Sequence, residues 1–331
     1  MDVYVGKSIT IVTERFKKSK KSNEVTLFCV VKNGGFHIDH FVAHHKSIGI
    51  QRMVFLDNGS DDDTVEKLMK MTDVNVLSSK KSFRKFEINF KRCIAKKYCG
   101  AGWALNVDID ERFDYPYRNK KSLSELISYL ADQKVNAVLS YMLDVFHQDS
   151  DGSRKITSFV DNRYYNVSAV QSRANGMRGA LGTPKGCVIP FKTGGIRLSA
   201  YGANPWLLKT PLFRPSFFLN MTNAHYLGFA RSLAIYADFS ALLIHYKFVD
   251  DYIKIFLKAS TEGNYDLAYQ HYQTFENHYK EHKKIELYNH DSKVLTSIES
   301  LIDEGFLVAS EKFKQWGEHE PISGNETSET R

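Results

Sequence analysis

Seven consecutive residues, Val25-Thr-Leu-Phe-Cys-Val-Val31, form an almost unbroken apolar run between Glu24 and Lys32. A run this short is too brief for a buried helix and fits a strand covered on both faces. That requirement excludes a sheet with one wet face and calls for helices before or after each strand. The following residues supply them. A helical stretch from about Phe36 to Ile48 puts Phe41, Val42, His45 and Ile48 on one face and stops at Gly49. A second strand, Arg52-Met-Val-Phe-Leu56, ends at Asp57, and Thr64 to Met71 reads as a short helix. Asn75-Val-Leu77, Trp103-Ala-Leu-Asn-Val107 and Ala137-Val-Leu-Ser-Tyr-Met142 read as further strands, separated by helices over Phe86–Cys99 and Leu123–Ala131. Alternation with short connections predicts an α/β fold with a mostly parallel, Rossmann-like sheet and right-handed crossovers.

In such sheets ligands bind beyond the carboxyl ends of the strands. The polar clusters Lys32-Asn33, Asp57-Asn58-Gly59-Ser60-Asp61 and Asp108-Ile109-Asp110-Glu111 all fall there. Alternation sets Asp108 and Asp110 on one side and Ile109 on the other. Two carboxylates aimed into one crevice repel each other unless a cation joins them, and hard oxygen donors suit Mg²⁺ or Mn²⁺. The bare string also reads as two solvated turn residues, but its place at a strand end favours the cation. The Asp57 turn is in part a helix cap, and its carboxylate and amides could also meet a base or a ribose.

Composition limits the partners. The chain has 331 residues, 43% hydrophobic and 25% charged, an ordinary globular balance. Its net charge of +7 fits an enzyme for phosphorylated substrates, an anionic membrane surface or nucleic acid. The Lys17, Lys18, Lys20 and Lys21 cluster reads most simply as a solvated arm. Cys29, Cys93, Cys99 and Cys187 contain no Cys-x-x-Cys pair, which suggests free thiols in a reducing compartment. With no secretory h-region and no run near the ~20 apolar residues of a membrane span, a soluble cytoplasmic protein is expected. His37, His40 and His44 share helical spacing, yet Phe41, Val42 and Ile48 make that helix an amphipathic packing element.

Taken in order, Val30-Val-Lys-Asn33, His44-His45-x-x-x-Gly49, Phe55-Leu-Asp-Asn-Gly-Ser-Asp-Asp-Asp-Thr64 and Trp103-x-x-x-x-Asp-Ile-Asp-Glu-Arg-Phe113 resemble the family-2-like glycosyltransferases of the GT-A fold. The likeness covers about residues 25–115, with two departures, Gly34 in place of a frequent Glu and the inserted Arg112. It implies a nucleotide-sugar glycosyltransferase of hexosyltransferase type. The nucleotide-sugar would lie on Val31, Lys32, Asn33, Asp57, Asn58 and Asp108, and Mn²⁺ or Mg²⁺ on Asp108 and Asp110. Asn223-Ala-His225-Tyr226 resembles a later family element and makes His225 a third metal ligand, with His245-Tyr246-Lys247 as its rival. The donor implied is most simply a UDP-sugar. The acceptor would be a glycan or a lipid-linked saccharide in surface polysaccharide synthesis, a setting that also allows peripheral association with the inner face of the membrane. For a catalytic base the sequence offers Asp144, after the strand Ala137–Met142, and then Asp238.

These expectations divide the chain into a basic arm (1–24), a GT-A catalytic domain (25–230, with a nucleotide half 25–115 and an acceptor half 116–230), a helical region (231–316) and a disordered tail (317–331). The helical segments are expected near 232–257, 264–282 and 292–314. Arg173, Arg178 and Lys185, around the Gly-rich stretch Asn175–Gly186, read as solvated loop charges or as phosphate clamps on a closing loop. Two other classes stay open. An aspartyl-phosphate phosphatase would use Asp108 as nucleophile, but it leaves the Asp57 turn unexplained. A non-catalytic nucleic-acid binder would need clustered rather than dispersed basic charge, and no nucleic-acid partner is expected.

Overall fold

The computed structural model describes residues 1–150, 155–173, 187–216, 219–222, 227–229, 234–262 and 268–319. Along the chain, α1 (Asp2–Gly6) and β1 (Thr10–Thr13) lead to β2 (Val25–Val31), α2 (Gly35–Ser47), β3 (Arg52–Asp57), α3 (Thr64–Lys70), β4 (Val74–Ser78) and α4 (Phe83–Ile94). A π-helical turn, Ala95–Cys99, extends α4. Next come β5 (Trp103–Asn106), β6 (Glu111–Asp114), α5 (Leu123–Asp132), β7 (Ala137–Asp144), β8 (Tyr164–Tyr165), β9 (Val170–Arg173), β10 (Phe191–Gly194) and α6 (Ile196–Tyr201). The remainder holds β11 (Leu208–Phe213), β12 (Leu219–Met221), β13 (Leu227–Phe229), β14 (Tyr236–His245), α7 (Tyr252–Glu262), α8 (Ala268–His282), β15 (Lys293–Val294), α9 (Ser300–Asp303) and α10 (Glu311–Glu318).

Among the described residues one sheet of nine strands runs in the order β1-β4-β3-β2-β5-β11-β7-β14-β6. Every residue of β2 and of β7 is buried, as the apolar runs require. The neighbours β4, β3, β2 and β5 are parallel, and so are β7 and β14. The other pairings are antiparallel: β1 with β4, β11 with both β5 and β7, and β6 with β14. The molecule is therefore α/β with a large mixed sheet flanked by helices, compatible with a Rossmann-like fold, and not the mostly parallel sheet expected. One cause lies at the acidic motif. A parallel crossover needs about a dozen residues or more, and residues 107–110 are all that separate β5 from β6. The chain can only turn sharply there, and β6 reaches the sheet edge antiparallel to β14.

The second difference concerns the C-terminal third. Where helix was expected over 232–257, Tyr236–His245 is a ten-residue strand parallel to β7, and α7 begins only at Tyr252. All but one of its positions are buried, so apolar and small residues are needed on both faces. Such a continuous run reads equally as buried helix or buried strand. The expected helix over 292–314 is broken into β15, α9 and α10, and α10 runs to Glu318, inside the expected tail. Residues 320–331 lie outside the described residues. Within the arm 1–24, β1 pairs antiparallel with β4 and forms one edge of the sheet.

Among the described residues two apolar clusters result. The larger packs both sides of the sheet, from Val25 and Phe28 to Phe239 and Phe313. The smaller joins α6, α7 and α8 around Phe256 and Phe275.

Candidate functional site

Val31, last in β2, stands in register with Asp57, last in β3, so the loops that follow are neighbours. They are laced together. The Asn58 amide donates to the Val31 carbonyl at 2.8 Å, and its side-chain Nδ2 donates to the carbonyls of Ser79 (2.7 Å) and Lys81 (2.9 Å). The Asp57 carboxylate accepts the amides of Gly59 and Ser60, each at 3.1 Å, closing an Asx-type turn that places Gly59 at φ 80°. Across the gap the Asn33 amide donates to Ser60 Oγ at 2.9 Å, and Asn33 Oδ1 accepts the Asp61 amide at 2.9 Å. Lys32 projects to solvent from the same loop. The structure thus gathers Val31, Lys32, Asn33, Asp57 and Asn58 at one sheet edge. It also explains Gly34, where a Cβ would lie 2.5 Å from Val31 Cγ2 and 2.9 Å from Ile109 Cγ1.

The acidic turn stands beside this edge, because β5 is the other neighbour of β2. Asp108 and Asp110 keep 37% and 23% of their side-chain surface exposed, while the groups behind them are buried. Asp108 faces Lys209 Nζ at 2.9 Å and Lys91 Nζ at 3.3 Å. Lys209 also reaches Glu111 Oε1 at 2.5 Å, and Glu111 Oε2 accepts the Asp108 amide at 3.0 Å. Burial opposes ionisation of Asp108, but Lys209 and then Lys91 overcome it and hold the carboxyl well below the usual range. Burial raises Glu111 even against the pull of Lys209.

Asp110 faces a different set. Its Oδ2 lies 3.2 Å from His245 Nε2 and 3.5 Å from Lys247 Nζ. His245 Nδ1 meets Asp144 Oδ1 at 2.5 Å, and Asp144 Oδ2 accepts from Arg197 Nε at 2.7 Å. A buried chain of alternating charge therefore runs Arg197–Asp144–His245–Asp110. Burial disfavours the imidazolium, yet the two aspartates, Asp110 foremost, raise His245 above its ordinary value. Burial likewise works against the Asp144 anion, but Arg197 and His245 bring it down to about 2.

The structure brings Asp57, Asp108, Asp110 and Asp144 to one end of the sheet and leaves Asp238 elsewhere. Asp238 lies near the opposite end of β14 from His245, buried, with Tyr129 and Ser310 donating to its carboxylate. Both oxygens of Asp144 are occupied as well, an arrangement that fixes neighbours rather than one that takes a proton from a bound hydroxyl. His225, Arg178 and Lys185 lie outside the described residues, and Arg173 is exposed at the end of β9. His40 and His44 face the β6 segment, His40 through Arg112 and His44 through the Phe113 carbonyl. Among the described residues no group of three or more His, Cys, Asp or Glu side chains forms a metal cage. Also among the described residues, no helix is long and apolar enough to cross a membrane.

Sequence reasoning missed Lys91 and Arg197. Lys91 had a readable signal, since it sits within the buried stripe of Phe86, Phe90 and Ile94 on α4, where a lysine is out of place. Arg197, on a six-residue helix, had none.

No family model matches the chain. Over 102 residues it is 24% identical to a glycosyltransferase family 92 protein of Ricinus communis. The match takes in 30% of this chain and 18% of that relative's length. The relative's name supports a likeness to glycosyltransferases in general and carries a family number other than 2.

Proposed function

We propose that this chain is a glycosyltransferase of the GT-A type, moving a sugar from a nucleotide donor, a UDP-sugar first among candidates, to a glycan or lipid-linked acceptor of a surface polysaccharide. The observation that carries the reading is the pairing of two part-exposed carboxylates, Asp108 and Asp110, with the Asp57 turn at the same sheet edge, over buried cations. The likeness to a named glycosyltransferase supports it.

Each group then has a task. The loop amides are spent within the turn, so the remaining acceptor capacity of the Asp57 carboxylate and the Val31 carbonyl, with the exposed Lys32 and Asn33 side chains beside them, offers hydrogen-bonding groups to the base and ribose. Asp108, held by Lys91 and Lys209, accepts from a ribose hydroxyl. Lys209 and Lys247 place positive charge where a nucleoside diphosphate departs, so they favour the state in which the leaving group has gained charge. Asp110 Oδ2 is a hard oxygen donor that would suit Mn²⁺ or Mg²⁺. His245 Nε2, which the two aspartates favour in its protonated form, would add a nitrogen donor only on giving up that proton, a pairing nearer to Mn²⁺ than to Mg²⁺. Such an ion supplies further neutralisation of the diphosphate. Asp144 and Arg197 hold the His245 ring so that Nε2, not Nδ1, points at Asp110.

The test is release of nucleoside diphosphate from a panel of UDP-, GDP- and ADP-sugars, and of CMP from a CMP-sugar, with and without Mn²⁺. One donor should be cleaved by the native chain and not by Asp110→Ala. Equal slow release from every donor, unchanged in that variant, contradicts the reading.

A further inference from the structure

Arg112 departs from the motif pattern around it, and the functions above leave it unused. Its side chain is 0% exposed, yet among the described residues none of its hydrogen bonds goes to a carboxylate. Nη1 donates to the carbonyls of Ile109 (2.9 Å) and Glu111 (3.0 Å), Nη2 to the carbonyl of His37 (3.4 Å), and Nε to His40 Nδ1 (3.0 Å). The guanidinium sits 5.1, 5.6 and 5.3 Å from the ring centroids of Phe41, Phe159 and Tyr246. Burying a charge with no carboxylate in hydrogen-bonding contact is costly, and the nearby Asp110 and Glu111 charges offset burial only in part. A methionine would fill the same aromatic cage without that cost. What only a planar fork can do is hold several acceptors at fixed angles at once.

The acceptors show what is being held. Ile109 and Glu111 flank Asp110, and the carbonyl of Asp110 itself accepts the Tyr246 amide at 2.8 Å. Three successive carbonyls are therefore pinned, two by Arg112 and one by a residue whose ring lies against Arg112. The same guanidinium ties down the first turns of α2 through His37 and His40. The His40 ring in turn stacks on Phe159 with centroids 4.3 Å apart and planes 3° from parallel. We propose that Arg112 is a positioning residue that locks the backbone of the Asp108–Glu111 turn against α2 and Tyr246, so that the Asp110 carboxylate keeps its direction toward the donor. This rests on the donor-site reading of Asp108 and Asp110. Burial lowers Arg112 to about 10 and His40 to about 4, so at neutral pH Arg112 carries its charge and His40 has a free lone pair to accept.

The experiment compares Arg112→Met and Arg112→Lys with the native chain, reading hydrogen exchange of the 106–114 and 35–40 amides without ligand, and UDP affinity by calorimetry with Mn²⁺. Loss of a positioning group predicts exchange about tenfold faster, confined to those two segments. It also predicts UDP affinity weakened about tenfold or more in both variants, since a lysine cannot replace the fork. Native-like exchange and affinity in Arg112→Met overturn the proposal, as does faster exchange spread evenly over the whole sheet. If Arg112→Met does not fold, His40→Leu removes one acceptor and leaves the charge. Local acceleration there supports the lock, and unchanged exchange overturns it. Should the native chain bind no UDP, the donor-site reading for that nucleotide fails, while the exchange result still decides the role of Arg112.

Discussion

The Asp57 turn and the Asp108–Asp110 turn stand at the same edge of the sheet and are built by opposite means. Asp57 satisfies its carboxylate two and three residues further on, at the amides of Gly59 and Ser60. Asp108 and Asp110 depend on Lys91, Lys209, His245 and Lys247, which arrive from α4, β11 and the end of β14. A turn closed by its own backbone can be perturbed with local effects. A turn closed by charges from distant strands ties the sheet and the site into one unit, and its failure should spread.

The largest effect is expected at Lys209. Lys209→Ala leaves Glu111, 1% exposed, without its cation and should destabilise the fold by about 3–5 kcal/mol in urea unfolding. Replacing both partners, Lys209→Met with Glu111→Leu, should recover most of that loss, because two buried charges are removed together. A cost below that of an ordinary surface substitution would break the comparison.

The acid limb of stability comes next. Asp144 drops from 3.8 to about 2 in the folded state, so its contribution is complete above the unfolded value and disappears as pH falls through about 2. The size is about 2 kcal/mol, and Asp144→Asn should flatten the stability profile between about pH 4 and 2. His245 acts in the other direction. Its raised value gives stability that is complete below 6.5 and is lost as pH rises through the folded-state value. Unfolding midpoints measured from pH 2 to 9 should therefore show a plateau between about 4 and 6.5 whose acid end extends to lower pH when Asp144 is replaced by Asn.

Smaller changes belong to the local turn. Asp57→Ala removes two charge-assisted hydrogen bonds and should cost about 2 kcal/mol, and Asp57→Asn less, because an amide oxygen can still accept. Gly59→Ala meets nothing within 4 Å, so only its φ of 80° opposes the new Cβ, for about 1 kcal/mol. If Gly59→Ala cost as much as Lys209→Ala, the division between local and distant support would collapse.

The same division governs what could be read from the sequence. The apolar runs of β2, β3 and β7 are visible because each is short, continuous and bounded by polar residues, and the helices between them because each buries one face on a fixed period. The Asp57 turn is visible because its donors are three residues away or closer. Strand β14 reads as helix from its sequence, since an almost wholly buried ten-residue run carries no period to separate the two. The pairings of Lys91 and Lys209 with Asp108, 17 and 101 residues apart, and of His245 with Asp110, 135 apart, lie beyond any sequence window, although His245 itself is legible through its motif. Arg112 was visible as a departure from a motif, but its meaning needed the carbonyls of Ile109 and Glu111 in space.

The donor role of the Asp108–Asp110 turn is decided by one binding isotherm, UDP titrated into the native chain and into Asp110→Ala, each with and without Mn²⁺. That role predicts binding that Mn²⁺ strengthens in the native chain, and that the variant, still folded at the temperature of the titration, loses most of this gain. Identical isotherms for the two proteins would contradict the assignment of the Asp108–Asp110 turn to the donor.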